Sequence, residues 1–549
     1  APQSIPRFRP FGWKRHALVA ALMAAVTIGM YGPRHDAAFA FDDEPNILRN
    51  PYFVNLEAVI QDKALSLHPD SREVGTLDAL RGLWRAAVES PAGNRPLTNF
   101  TFAWNIWRNE YHIAESYIPE RYATLPAAEA EQYRAYPVRD FHHVNIALHW
   151  LCGLAVYGLF LRLVQLPRVP DRLRGTAWFV ATGAALVWLC SPVQSAAVMY
   201  IVQRAVLLAA CFYLVAFIAY LEFRALDRTR TCYWGKAAGW LALCAVATFA
   251  GMLSKEITAL LPLGILLAEY FLIMPAPDSA ECGAGAFFRA GLREAWTLAR
   301  QAALPLCCVL MPVAAGVLLY YGKVNEPARQ ETRASYELNA GKAVGKLWED
   351  AVGKVFSDEP RGKTRISRRQ RLLTETRVVA MYQSLLIYPG WWRLNLDYDF
   401  PETTALWNAD EVYFLPLVLV LGILAVWRFS PPGWRGVGVM FAVALAHMLG
   451  LERVWWEPWP VPAIVWHLAV LWLAAACAGR HPHIAFCILW FYAGHLIEST
   501  IIGLELVYEH RLYLPSTAFY LLATMTVFDA ACAWKAAPEA PASAEGCHV

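Results

Sequence analysis

Long apolar stretches separated by short basic loops run through most of this chain. Ala17–Tyr31 follows a basic tip of Arg7, Arg9, Lys14 and Arg15. Further runs at 146–164, 176–190, 205–221 and 437–450 meet or approach the roughly 17–25 residues that cross a hydrocarbon core. The pattern predicts about twelve spans, near 17–35, 143–164, 176–191, 205–224, 237–253, 257–274, 301–321, 412–428, 437–451, 461–478, 484–500 and 514–532. Arg168, Arg172, Arg174, Arg224, Arg228, Arg230, Lys236, Arg289, Arg293, Arg300, Arg428, Arg435 and Arg480 then fall in loops on one side. Lys and Arg gather on the cytoplasmic side of short loops, which orients the chain. Gly32–Asp43 lacks a clear small-residue cleavage site, so the first segment reads as a retained span and not a secretory signal.

Two long polar segments interrupt the pattern, and both are expected on the outer side. The first, 36–140, holds amphipathic stretches such as Thr76–Glu89, suited to lying in the membrane plane. The second, 322–411, opens very polar at Lys354–Arg371 and turns apolar and aromatic at Val378–Trp392. Trp455, Trp456 and Trp459 read as an interfacial aromatic belt. The expected organisation is a transmembrane module over 1–321, an external loop over 322–411, a second transmembrane module over 412–535 and a disordered Ala/Pro/Glu tail over 536–549.

Composition narrows this to an all-α polytopic membrane protein. Of 549 residues 57% are hydrophobic and 17% charged, against about 25% charged in soluble domains. The net charge of +3 gives no reason to expect a nucleic-acid partner. None of the 12 Cys lies in 36–140 or 322–411, and no CxxC spacing occurs, so packing cysteines are expected.

On this topology the polar motifs emerge on the outer side. They are Asp42-Asp43-Glu44, Asn94-Arg95-Pro96-Leu97, Phe141-His142-His143-Val144-Asn145 with His149, Ser191-Pro192-Val193 with Arg204, Ser254-Lys255-Glu256, Tyr382, Glu498-Ser499-Thr500, and Glu509-His510-Arg511-Leu512-Tyr513. Ionisable groups at a bilayer edge are functional candidates, and so many together imply one external cavity. Arg204 is a candidate bidentate phosphate clamp, or it snorkels to the interface. Lys255-Glu256 is a phosphate-facing Lys held by an acid, or a local pair. His142 and His149 lie two turns apart, yet spacing fixes no third metal ligand. Hydrogen bonding in the bundle or contact with sugar hydroxyls is the favoured reading for His142, His143, Asn145 and His149, and no metal site is assigned. Tyr382, Tyr388, Trp391 and Trp392 form a lid or an interface anchor. Asn99–Thr101 matches a glycosylation acceptor pattern that chance also produces.

The runs FDDEPNILRN, RPL, FHHVNIALH, SPVQSAAVMYIVQRA, SKEITALLP and VYEHRLYLPS, in that order, resemble the membrane domain of the transmembrane, tetratricopeptide-repeat O-mannosyltransferases and their bacterial pilin-glycosylating relatives. These are type C glycosyltransferases. The resemblance covers nearly the whole chain, least at 275–375, and departs in lacking tetratricopeptide repeats, which leaves the acceptor open. It implies a polyprenyl-phosphate-linked sugar as donor and an external hydroxyl as acceptor. It aligns Asp42 with the family's reactive acid, with Asp43 orienting it, binding acceptor or holding a divalent cation with it. Arg204, Lys255 and Arg511 would then receive donor phosphate. Arg95, His142, His143, Asn145, His149, Glu256, Tyr382, Glu498, Glu509, His510 and Tyr513 would bind substrate or support the site. The expected setting is a bacterial inner membrane with the site facing the periplasm. The acceptor is a pilin-like protein or, second, a glycolipid or lipopolysaccharide sugar. A glycan ligase and a non-catalytic lipid-linked-sugar flippase are the alternatives.

Overall fold

A computed structural model of the chain describes residues 5, 7–54, 56–67, 76–91, 93–108, 138–227, 229, 233–274, 307–317, 367–403, 434–448, 453–500 and 505–535. Among these the fold is all-helical, with no strand. The principal helices are α1 Trp13–Tyr31, α2 Leu56–Leu67, α3 Thr76–Glu89, α4 Pro96–Arg108, α5 Val138–Leu163, α6 Ala177–Cys190, α7 Arg204–Arg224 and α8 Tyr233–Met252. They continue with α9 Leu261–Ala268, α10 Cys307–Val317, α11 Arg368–Ile387, α12 Arg435–Ala446, α13 Val461–Cys477, α14 Pro482–Gly494 and α15 Ser516–Lys535.

Six helical stretches among the described residues are long and apolar enough to cross a membrane: Trp13–Arg34, Val138–Leu163, Ile201–Arg224, Tyr233–Met252, Glu256–Ile273 and Ser516–Trp534. This supports a polytopic membrane protein and is fewer than the expected twelve. Ala177–Cys190 and Pro192–Met199 make a seventh only as a pair bent by 56°. The bend follows from Pro192, which drives Ser191 to extended backbone (φ −66°, ψ 128°). Cys307–Val317, Arg435–Ala446, Val461–Cys477 and Pro482–Gly494 are apolar but shorter. The expected span at 412–428 and the tail from 536 lie outside the described residues.

The core of the bundle is built on α7, whose apolar side chains are buried almost all round, as suits a helix enclosed by others. α5 and α8 pack directly on it, and α6 packs between α5 and α15. Small residues allow these approaches. Ala177, Ala181, Ala184 and Ala185 are fully buried on α6, and a Cβ at Gly153 would strike Leu189.

The bundle has two polar faces. α1 begins at one, here the near face, and ends at the other, the far face. Near-face ties include Arg162–Glu222 at 2.7 Å, Arg172–Asp529, and the buried Arg224–Glu269 pair at 2.5 Å. The motifs Asp42–Glu44, Arg95, Arg204, Lys255–Glu256, Glu498 and Glu509–Arg511 all emerge at the far face.

Two loop expectations change. Thr76–Glu89 is helical, and one side of it is buried against protein while Leu77 and Trp84 stay exposed. Ala79, Leu83 and Ala86 join Leu56, Ile60, Phe102 and Ile106 in a second, smaller core. A Cβ at Gly82 would come within 2.8 Å of the Ile60 backbone. Within 322–411, α11 opens with a capping box in which Ser367 and Gln370 satisfy each other's backbone N–H. Val378–Leu386 then packs into the main core, and Tyr382 is fully buried. That part of the segment is structural core, not a lid. Trp391 and Trp392 remain largely exposed. Residues 318–366 and 404–433 lie outside the described residues.

Candidate functional site

The first external loop places two neighbouring acids in opposite environments. Asp43 is buried, and its Oδ2 accepts Ala40 N–H at 2.9 Å while Oδ1 accepts Val202 N–H at 2.7 Å. Burial pushes its carboxyl up to about 7, against the pull of those two amides. The turn it closes forces Phe41 to φ +42°, a conformation that a bulky residue adopts only when its surroundings impose it. Asp42 is exposed as a result. Its backbone N–H donates to the Tyr200 hydroxyl at 2.9 Å, and no hydrogen bond or ion pair engages its carboxylate among the described residues. Asp43 therefore holds the turn and Asp42 is presented.

Arg204 opens α7 with no exposed surface. Its Nε donates to Asn145 Oδ1 at 2.8 Å, Nη1 to the Thr101 carbonyl at 3.1 Å and Nη2 to the Phe141 carbonyl at 3.0 Å. Its guanidinium stacks over Phe102, 4.4 Å from the ring centre. The expected phosphate clamp is therefore a stitch between α4, α5 and α7, and Arg204 lines no open chamber. Asn145 belongs to the same web through the Val198 and Ile201 carbonyls. His142 Nε2 meets the Ala37 carbonyl at 2.9 Å. His149 bridges the Tyr513 hydroxyl at 2.7 Å and the Leu189 carbonyl at 3.3 Å. His142, Asn145, His149 and Tyr513 are thus hydrogen-bonded within the bundle. His143 is exposed, stacked on His35 with ring centres 5.4 Å apart. No group of three or more His, Cys, Asp or Glu residues is placed to hold a metal ion among the described residues.

Beside this web lies a second, strongly charged cluster. Lys255 Nζ meets Glu498 Oε1 at 2.6 Å with both side chains buried. Arg95 reaches Glu256 at 3.1 Å. Arg511 donates to the Leu506 and Glu505 carbonyls at 2.9 and 2.5 Å and lies 3.9 Å from Glu375, which Arg371 approaches at 3.5 Å. Burial pushes the Glu375 carboxyl up to about 7, while Arg511 and Arg371 oppose the shift. Burial and the nearby Lys255, Arg511 and Arg95 hold His510 neutral, well below its usual value. Burial also lowers Lys255, although Glu498 counteracts it. Tyr382 hydrogen-bonds both the carbonyl and the N–H of Tyr508, at 2.9 and 2.8 Å. The Arg511 guanidinium sits 5.6 Å from the Tyr508 ring centre. Tyr508 links this cluster to the first loop: burial raises its hydroxyl, Asp42 adds to the rise and Arg511 opposes it.

A cavity of about 530 Å³ opens next to the Asp42 turn. Arg34, Asp36 and Ala40 line one side, Ser195 and Tyr200 another, and Asn395 and Glu509 a third. Glu509 Oε1 accepts Asn395 N–H at 2.7 Å and the Tyr398 hydroxyl. Burial pushes its carboxyl up to about 7.

The structure thus gathers Asp42, Tyr508 and the Lys255/Arg511 cluster on one face, and leaves Arg204, His142 and His149 in packing roles. Sequence reasoning missed Tyr200, Glu375, Arg371 and Arg34. The i, i+4 spacing of Arg371 and Glu375 was the one local sign of a pair; nothing local marks Tyr200. No protein-family model, no curated protein and no solved structure matches this chain.

Proposed function

We propose that the chain is an integral-membrane glycosyltransferase that moves one sugar from a polyprenyl-phosphate carrier to an acceptor hydroxyl at the far face. The observation that carries the reading is the exposed Asp42 carboxylate, held out by its buried neighbour Asp43 beside a cavity and a cation-rich cluster. The resemblance of six ordered motifs supports it. The basic near face, with Arg168, Arg172, Arg174, Arg224 and Arg480, is assigned to the cytoplasm, so the reaction faces the periplasm of a bacterial inner membrane. Protein Ser/Thr is the first acceptor and a glycolipid sugar the second.

In this mechanism Asp42 takes the proton of the acceptor hydroxyl as its oxygen attacks the anomeric carbon. The bond to the carrier phosphate breaks, and that phosphate departs with the electron pair, which inverts the anomeric configuration. Arg95, Lys255, Arg371 and Arg511 are the cations of the cluster, and in this reading they stabilise the developing phosphate dianion. Arg204 has no direct part and instead braces α4 and α5 under the loop. The test uses purified protein in proteoliposomes with a radiolabelled polyprenyl-phosphate sugar and a hydroxyl-bearing peptide. Wild-type protein yields labelled peptide and Asp42→Asn does not. Translocation of intact labelled lipid without any product would replace this reading with a flippase.

A further inference from the structure

At the near face, opposite the cavity just described, the basic N-terminal segment folds against the ends of α5, α7 and α8. Together they enclose a pocket of about 410 Å³, within the roughly 300–1,000 Å³ typical of small-molecule sites. Phe8, Phe11, Leu161 and Leu226 supply apolar wall, and Arg7, Arg9, Arg162 and Lys236 supply positive charge.

The pocket contains more cations than it can neutralise. Arg162 pairs with Glu222 and also donates to the Gly158 carbonyl at 3.1 Å. Arg7 pairs with Asp227 at 3.4 Å. Both acids of the pocket are thereby engaged. Arg9 is anchored through its backbone N–H, which donates to Gln165 Oε1 at 2.6 Å, while its guanidinium makes no hydrogen bond or ion pair among the described residues. The same holds for the Lys236 ammonium. Two unmatched cations over an apolar wall suit a phosphate group attached to an apolar body.

The depth of the pocket points the same way. Trp13 at the start of α1 and Trp234 at the start of α8 are 74% and 78% exposed. They flank the pocket, and exposed Trp at helix ends marks the headgroup level of a bilayer. Basic pockets between helix ends at that depth bind anionic headgroups.

We propose that this pocket binds the phosphate of an anionic membrane lipid, with Arg9 and Lys236 as its principal ligands and Phe8, Phe11 and Leu226 against the glycerol and first acyl carbons. A soluble phosphomonoester has the same charged group and is the competing source. The site holds the N-terminal segment against the bundle, and its occupancy is independent of Asp42 and of the far-face reaction.

The test titrates the full chain in neutral detergent with phosphatidylglycerol or phosphatidylcholine and reads adducts by native mass spectrometry, with glycerol 3-phosphate as soluble competitor. The first phosphatidylglycerol adduct is expected to form at least about fivefold more tightly than the phosphatidylcholine adduct. Each surface cation contributes about 1 kcal/mol to such binding, or roughly fivefold, so Arg9→Gln with Lys236→Gln should weaken the first adduct about 25-fold. Arg9→Lys with Lys236→Arg keeps the charge and should keep the preference, which separates loss of ligands from loss of fold. Glycerol 3-phosphate that displaces the lipid at equal concentration would keep the phosphate site and assign it to a soluble ligand. Equal affinity for the two lipids, or undiminished preference in the double Gln variant, overturns the proposal.

Discussion

The two polar faces use similar residues in opposite ways. At the near face Arg172 and Asp529 keep 47% and 28% of their side-chain surface, and Arg7 and Asp227 keep 53% and 39%. At the far face Lys255 and Glu498 keep 3% and 6%, and Arg511 and Glu375 keep 2% and 1%. Exposed pairs contribute little because water competes for both partners. Buried pairs carry a desolvation penalty that the fold accepts only where other elements force the charges together. The near face orients the bundle and the far face concentrates charge. Arg224–Glu269 is the near-face exception, a buried pair tying α7 to the end of the α9 segment.

The largest test of this contrast is catalytic. Asp42→Asn should lower transfer by about 10²–10⁴ while the melting temperature stays within error; near-wild-type turnover would remove Asp42 as the base. Next is the buried pair. Lys255→Met should destabilise by about 3–5 kcal/mol because buried Glu498 loses its nearest counter-charge, whereas Lys255→Met with Glu498→Leu should recover most of that loss in thermal unfolding. Equal losses in the single and double variants would show that the charges are not coupled.

A pH series comes third. Asp43, Glu375 and Glu509 titrate at about 7 in the folded protein, above their unfolded values near 4. The folded state therefore holds these protons more tightly, so their contribution is complete below about pH 4 and is lost as pH rises through about 7. Buried His510, held neutral, acts in the opposite sense because it takes up a proton on unfolding at acid pH. The carboxyl contribution is therefore read as a difference: relative to wild type, Glu375→Gln should raise stability at pH 8 against that at pH 5 by about 2 kcal/mol. An unchanged pH dependence in Glu375→Gln contradicts the burial of that acid. The smallest effect belongs to the near face, where Arg172→Gln should change stability by no more than about 1 kcal/mol. A loss as large as that of Lys255→Met would erase the distinction between the faces.

Sequence patterns reached part of this. The runs at 143–164, 205–224, 237–253 and 257–274 became long apolar helices because local hydropathy decides whether a stretch can cross a bilayer. The bent 176–191 region, by contrast, carried its break in plain view at Pro192. Thr76–Glu89 shows where such reading ends: its pattern announced a covered face, but not that α2 and α4 would cover Ala79, Leu83 and Ala86. The site divided in the same way. Asp42 and Arg511 were visible as charges at apolar edges, whereas the roles of Asp43 and Arg204 were not.

By itself the sequence determined an all-helical polytopic membrane protein and the acids and bases carried at the ends of its apolar helices. Those properties depend on transfer free energies summed over neighbouring residues. Only the tertiary structure decided which charges stay available. Lys255 meets Glu498, Arg511 meets Glu375 and Arg204 meets Asn145 across long intervals of chain. The environment of a charge is set by whatever packs around it, and no local pattern encodes that neighbour.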